Sequence, residues 1–259
     1  MKLITFELRS SFGFFKKPDI NDSIYLTYNM LHKPALLGIL GAILGECGHY
    51  QYDQLPDYYR KLKNIKIGIE PIGEGQENGI FEKTIVKYNN ATGHANEGTL
   101  NVIEQILINP EYRIYLYVKD SEEYLSELKS KLKNQEAVFI PYMGKNDFPC
   151  WWENYDEIDA HNVTADYFKI DTIFAKPEGT KLDDLKKLMA FGLFAGMKAN
   201  PERKFSQFER LPVGFNKTLK QYSEPEEFVF TNIEFSREKF QCSENFVQLE
   251  RGNHVVYLF

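Results

Sequence analysis

At 259 residues the chain is long for one domain, so it specifies one large domain or a core with an elaboration. Hydrophobic residues make up 43% and charged residues 26%, which excludes disordered, collagen-like and membrane-embedded classes. A net charge of −6, from 31 Lys plus Arg against 37 Asp plus Glu, excludes a protein that holds nucleic acid by bulk electrostatics, so any such site is local.

The first segment alternates, with Ile4, Phe6 and Leu8 on one face and Thr5, Glu7 and Arg9 on the other, the pattern of a half-buried strand. A loop rich in Phe, Lys, Asp and Asn follows over Ser10 to Asn29, and Pro34 then opens a helix where its missing N–H costs nothing. In that helix Gly38, Gly41, Ala42 and Gly45 make a small-residue stripe suited to close packing on a sheet. After a Tyr-rich, basic connection comes a short strand, Ile65 to Ile69. The stretch from Glu70 to Gly98 holds five glycines and a strand over Ile80 to Tyr88, and reads as an inserted hairpin. Gly73, Gly75 and Gly79 mimic a phosphate loop, but Glu74 and Glu77 would repel a phosphate, so a mobile turn is expected there.

Ile103 to Ile108 fits helix or strand equally, and a strand follows over Tyr112 to Val118. The next helix has Asp120 as its cap with Glu123 reaching back, a Leu125, Leu128 and Leu132 stripe, and Lys129, Lys131 and Lys133 in its last turn. A strand over Ala137 to Tyr142 completes the set. Without the insertion the order is strand, helix, strand, strand, helix, strand, which predicts an α+β, ferredoxin-like core. The expected division is a core of residues 1–69 and 101–150, a thumb hairpin at 70–100, and a β-rich C-terminal extension at 151–259 packed on the core. Within the extension, strands are expected at Glu227 to Phe235 and His254 to Phe259, and a helical patch at Lys181 to Phe194.

Cys47, Cys150 and Cys242 are far apart and odd in number, which fits a reducing compartment. The N-terminus lacks a secretory h-region, so a cytoplasmic protein with no membrane partner is expected. The five histidines show no metal-ligand spacing and no nucleophile or phosphate-loop motif occurs, so neither metal nor cofactor is expected.

Two basic islands interrupt the acidic background, one in residues 1–69 and one in residues 200–220. Lys16 and Lys17 lie in the Phe-rich loop, and His32 and Lys33 precede the helix opening at Pro34, where free backbone N–H groups favour an anion. That is a phosphate seat or, equally, a set of solvated lysines. The strand from Tyr112 places Arg113, Tyr115, Tyr117 and Lys119 opposite Ile114 and Leu116, either as a face that stacks single-stranded RNA or as one covered by the C-terminal region.

The order of features resembles the CRISPR-associated RAMP proteins of the Cas-five family. The resemblance lies in Ser11 to Pro18 (SFGFFKKP), Leu26 to Asn29 (LTYN) and the Pro34 to Gly45 helix. It continues in Gln105 to Tyr115, the turn Tyr142 to Pro149 (YMGKNDFP) and the closing Val255 to Phe259. It implies an RRM-like RAMP core with a thumb, in a type I Cascade subunit that caps the 5′ handle of the crRNA. The implied partners are the crRNA, the Cascade backbone and large subunits, and target DNA through the assembled complex. By position Lys16, Lys17, Tyr28, His32 and Lys33 would face the handle, with Arg113 on the sheet, while Lys83, Lys87 and Tyr88 would approach the guide or backbone subunit. Thr27-Tyr28 and the final aliphatic strand look most like the type I-B branch, in which a separate subunit cuts the precursor and this chain has no catalytic residue. In the type I-C branch the subunit is itself a metal-independent endoribonuclease using Tyr, Lys and His. Tyr28 matches that tyrosine, but no adjacent Lys-His pair follows the thumb. A third reading is a protein-only scaffold.

Overall fold

The computed structural model describes residues 1–18, 24–48, 54–90, 100–117, 123–175, 204–219, 221–223, 225–238, 240 and 242–259. Strand β1 (Lys2–Ser10) leads through the two-residue β2 (Phe12–Gly13) to helix α1 (Lys33–Leu44) and the short α2 (Asp57–Leu62). The expected edge at Pro34 is correct, because His32 is the N-cap and its Nδ1 accepts from the Ala35 amide at 3.3 Å. Gly45 ends α1 in the left-handed region at φ 81°. The small-residue stripe packs against α2 rather than the sheet: a Cβ at Gly41 would collide with the Cβ of Tyr58. Leu36, Leu37, Leu40 and Ile43 are the helix residues sealed in the main core.

Strands β3 (Lys66–Ile72) and β8 (Glu111–Tyr117) flank an excursion made of β4 (Gln76–Glu77), β5 (Ile80–Phe81), β6 (Lys83–Asn90) and β7 (Leu100–Ile108). The glycine-rich stretch forms the small β4–β5 hairpin, with Gly79 at φ 79°. The main hairpin is β6 against β7, paired from Lys83 and Leu107 to Asn90 and Leu100, with β2 added at Phe12 and Ile108. Ile103 to Ile108 is therefore the hairpin's return strand. The expected loop at Asn89 to Gly98 falls mostly outside the described residues.

Helix α3 (Glu123–Asn134) and strand β9 (Cys150–Asn162) follow. Leu125, Leu128 and Leu132 are buried as expected, while the Asp120 cap lies outside the described residues. Residues 137–142 do not form the expected strand. Val138 and Phe139 donate their amides to the Ile43 and Ala42 carbonyls at the end of α1 (3.2 and 3.0 Å), so the segment closes a helix terminus. The edge of β1 is taken instead by β9, paired from Lys2 and Asp159 to Ser10 and Cys150 across a bulge.

The remaining strands are β10 (Tyr167–Ile170), β11 (Phe174–Ala175), β12 (Ser206–Leu211), β13 (Glu226–Thr231), β14 (Glu234–Ser236), β15 (Phe246–Leu249) and β16 (His254–Tyr257). The region expected as one strand from Glu227 to Phe235 is split into β13 and β14, and the helical patch at Lys181 to Phe194 lies outside the described residues. The result is a mixed α+β, strand-rich fold. An eight-stranded sheet runs β14-β10-β16-β15-β9-β1-β8-β3, and β11, β13 and β12 form a separate three-stranded sheet. The first sheet curls on itself. Beyond β3, Ile67 exchanges amide bonds with Phe259 (3.1 and 3.0 Å), and Ile173 donates to the Ile69 carbonyl at 2.8 Å. The edge that β3 would expose is thereby covered.

The curl decides the fate of the β8 face. Tyr115 is 2% exposed, buried with Leu3, Ala160, Val247, Val256 and Leu258. The C-terminal strands thus occupy the face on which RNA stacking was one of the two expectations. The opposite face of β1, β3 and β8 joins α1 and α3 in the main core through Phe6, Ile69, Ile114 and Leu116.

Candidate nucleic-acid interface

The loop after β2 runs beside residues 25–28: Phe15 donates to Thr27 Oγ1 (2.8 Å), Lys17 to the Leu26 carbonyl (2.9 Å) and Tyr28 to the Phe15 carbonyl (2.8 Å). This ladder leaves the Lys16 side chain outside, its Nζ 3.7 Å from the centroid of the Tyr25 ring. The turn after residue 142 closes against the same loop, with Phe14 donating to the Met143 carbonyl at 3.1 Å. Gly144 makes that approach possible: its φ is +86°, and a Cβ there would strike the Phe14 carbonyl. Lys145 is thereby carried to Glu104 and Tyr88 of the hairpin.

A cleft of about 880 Å³ opens where these pieces meet α1 and the hairpin residues Tyr88 and Glu104. Its lining includes Lys16, Tyr58, Tyr88, Phe139, Tyr142 and Tyr222. A second cleft of about 390 Å³ lies between Thr84, Val86 and Ile106 of the hairpin and Phe12 and Phe148. Tyr88, Glu104 and Lys145 line both. Glu104 accepts from Lys145 Nζ at 2.6 Å and from the Tyr88 hydroxyl at 2.9 Å, and Lys145 also donates to the Tyr88 oxygen at 3.1 Å. Burial opposes the charge on Lys145, but the bonds to Glu104 and Tyr88 outweigh it and hold the ammonium above its ordinary pKa. Phe139 and Ile140 are 53% and 78% exposed beside the larger cleft. Solvent-exposed rings with lysines among them form a surface on which unpaired bases stack and phosphates are neutralised.

Lys16 and Tyr88, which the resemblance assigned to different contacts, line the same cleft. Lys87 is exposed on the hairpin. Lys17, Tyr28 and Lys83 form a different group around Asn29 and Glu209. Lys17 Nζ lies 3.5 Å from Glu209 and 5.2 Å from the Tyr28 ring, and Lys83 donates to Asn29 Oδ1 at 2.9 Å.

His32 and Lys33 do not form a phosphate seat. His32 is fully buried, with Phe15, Tyr28 and Tyr222 packed edge-on around it at 5.8, 5.5 and 5.0 Å. Burial pushes its pKa down to about 3. Its Nδ1 is an acceptor, which places the proton on Nε2, and Nε2 has no hydrogen-bond partner among the described residues. Lys33 is buried too, its Nζ donating to the Phe259 carbonyl at 2.7 Å, and burial lowers its pKa to about 8 against the opposing pull of Glu226. Both side chains turn inward, His32 against rings that include the distant Tyr222 and Lys33 onto the last residue, Phe259.

Arg113 is held in an ionic lattice. Its guanidinium reaches Glu7 at 2.9 Å and Glu70 at 3.2 Å, and Tyr115 donates to Glu70 at 2.9 Å. Burial raises the Glu70 carboxyl to about 7 despite that neighbour. Cys47 lies on the cleft wall, exposed, and no His, Cys, Asp and Glu group suited to a metal occurs among the described residues. No helix among those residues is long and apolar enough to cross a membrane.

Lys145, Glu104 and Phe139 were not among the expected site residues. Lys145 carried one signal, a Gly-Lys-Asn turn between aromatic residues. Glu104 carried none, since a lone acid in an apolar strand reads as a solvent-facing residue.

No protein-family model matches the chain, and no curated protein matches it. Among solved structures, a chain of a CRISPR RNA-guided surveillance complex is similar with a TM-score of 0.47 at 12% identity, over 93% of this chain and 94% of that one. A CRISPR protein from Archaeoglobus fulgidus gives 0.44 at 14% identity, over 99% and 98%. A chain of the type III-B Cmr-beta complex, solved by cryo-EM with cognate target RNA and AMPPnP, gives 0.54 at 11% identity, over 98% of each chain. The strand-rich α+β architecture described above is therefore a fold shared, over nearly its whole length, with a chain of a CRISPR type III-B complex.

Proposed function

We propose that this chain is a non-catalytic crRNA-binding subunit of a CRISPR effector complex that acts in antiviral defence. The carrying observation is the cleft beside the hairpin, where exposed Lys16 and the Tyr88-Lys145 pair meet aromatic walls. The fold shared with a chain of the type III-B complex supports the same reading. Within it, the chain is a RAMP protein of the Cas-five type, closest in character to the type I-B branch. It caps the 5′ handle of the crRNA and contacts the neighbouring backbone and large subunits of Cascade, meeting target DNA through the assembly.

The order β9-β1-β8-β3, all antiparallel, with α1 after β1 and α3 after β8, supports a ferredoxin-like core. The division into core (1–69 and 101–150), thumb (70–100) and extension (151–259) goes with it, with the thumb's return strand running to Ile108 and the last core strand to Asn162. Cytoplasmic location belongs to the same proposal.

The endoribonuclease reading has one observation in its favour, that Lys17, Tyr28 and His32 are neighbours. Tyr28 is 5% exposed and His32 is sealed and neutral, however, so neither reaches a 2′-hydroxyl or donates a proton. The full chain incubated with CRISPR repeat RNA in EDTA should leave it intact; specific cleavage lost in Tyr28→Phe would overturn the non-catalytic reading. In a handle-oligonucleotide titration at low salt, Lys16→Ala combined with Lys145→Ala should weaken binding about tenfold, because two phosphate partners are lost. Unchanged affinity would favour the protein-only scaffold.

A further inference from the structure

We infer that Glu104 reads the edge of an unstacked RNA base held beside the β6–β7 hairpin, favouring a base that carries an exocyclic amine over uracil. This deepens the RNA-binding reading above and rests on it. Glu104 is 5% exposed yet lines both clefts. Its Oε1 accepts from the Tyr88 hydroxyl and its Oε2 from Lys145 Nζ, which uses two of the roughly four acceptor positions of a carboxylate. Those two donors fix the orientation of the group and leave lone pairs for a ligand.

A carboxylate is the wrong group for a phosphate and the right one for an amine. It accepts from cytosine N4, adenine N6 or guanine N1 and N2, whereas uracil presents a single imino N–H between two carbonyl oxygens that a carboxylate repels. The surroundings suit a nucleotide. Tyr88 and Tyr142 are about two-fifths exposed and Phe139 about half, offering ring faces for stacking, while Lys16 and Lys145 supply cations for the backbone. Two further carboxylates line the clefts, Glu46, paired with Lys61, in the larger and Asp147 in the smaller.

The test is a fluorescence-anisotropy titration of the full chain at low salt with short oligo(C), oligo(A) and oligo(U). The wild type should bind oligo(C) or oligo(A) about tenfold more tightly than oligo(U), in line with the discrimination one well-placed base contact provides. Glu104→Gln, which keeps the size but replaces an acceptor oxygen with a donor amide, should erase that ratio while oligo(U) binding persists. Equal binding of all three by the wild type, or an unchanged ratio in folded Glu104→Gln, would overturn the base-reading role alone. Failure of every oligonucleotide to bind the wild type would overturn the RNA-binding reading itself, and this inference with it.

Discussion

His32 sits where protonation and folding compete. Its imidazole is neutral inside a wall of rings, so protonation in the native state is displaced to about pH 3 from an ordinary value of 6.5. The stabilising contribution is complete above pH 6.5 and is lost as pH falls towards 3, at up to about 1.4 kcal/mol per pH unit, because the unfolded chain binds the proton first. Denaturant melts from pH 7 to pH 4 should show this slope, and His32→Asn, which keeps a cap acceptor, should flatten it. A slope identical in the variant would show that other groups carry the acid sensitivity. The same residue marks the limit of sequence reading at this scale. The exposure of Lys16 follows from local pattern, since a loop lysine depends on nearby residues, while Tyr88 was reached only through the resemblance. The surroundings of His32, Lys33 and Arg113 do not follow from local pattern, because Tyr222, Phe259 and Glu70 reach them only after the chain has folded back.

Helix α1 offers a contrast between two glycines one turn apart. A Cβ at Gly38 would meet the Tyr58 ring at 3.7 Å, an ordinary contact, whereas at Gly41 it would enter the space of the Tyr58 Cβ. Gly38→Ala should therefore stabilise the protein by roughly 0.5–1 kcal/mol through helix propensity and the restricted unfolded chain. Gly41→Ala should destabilise it by about 1–3 kcal/mol, as overpacking outweighs the same gain. Chemical melts of the two variants check both signs, and equal shifts would show that α2 does not hold its observed position. Elements with a clean period were legible: β1, α1, the α3 leucine stripe and β16. Strand β9 was not, because its bulge, at Asn154 with φ 53°, breaks the alternation and its outward acids resemble a loop. Residues 137–142 misled for the opposite reason. Their apolar run has strand composition, but the carbonyls at the end of α1 needed donors and took them.

At the scale of the whole molecule, an acidic chain with a net charge of −6 brings Lys16, Lys145, Tyr88, Tyr142 and Phe139 to one cleft while the curled sheet hides the Tyr115 face. Few phosphates are neutralised there, so the isolated chain should bind RNA weakly. Its affinity should fall only gently with salt, as one or two ion contacts dictate. A steep slope from titrations between 50 and 200 mM salt would point to a broader basic surface than the cleft. The mixed α+β, strand-rich character of the fold was legible in the sequence. The closure by Phe259 and Ile173 was not, because it is a contact between strand ends with no local signature.

Whether this chain works on guide RNA inside a CRISPR assembly is decided by purifying the tagged full chain from its own cells and sequencing the RNA that accompanies it. A pool of RNAs sharing one repeat-derived 5′ end is expected. Purification of the chain with its partners but without RNA, or with RNA of random 5′ ends, would contradict that role.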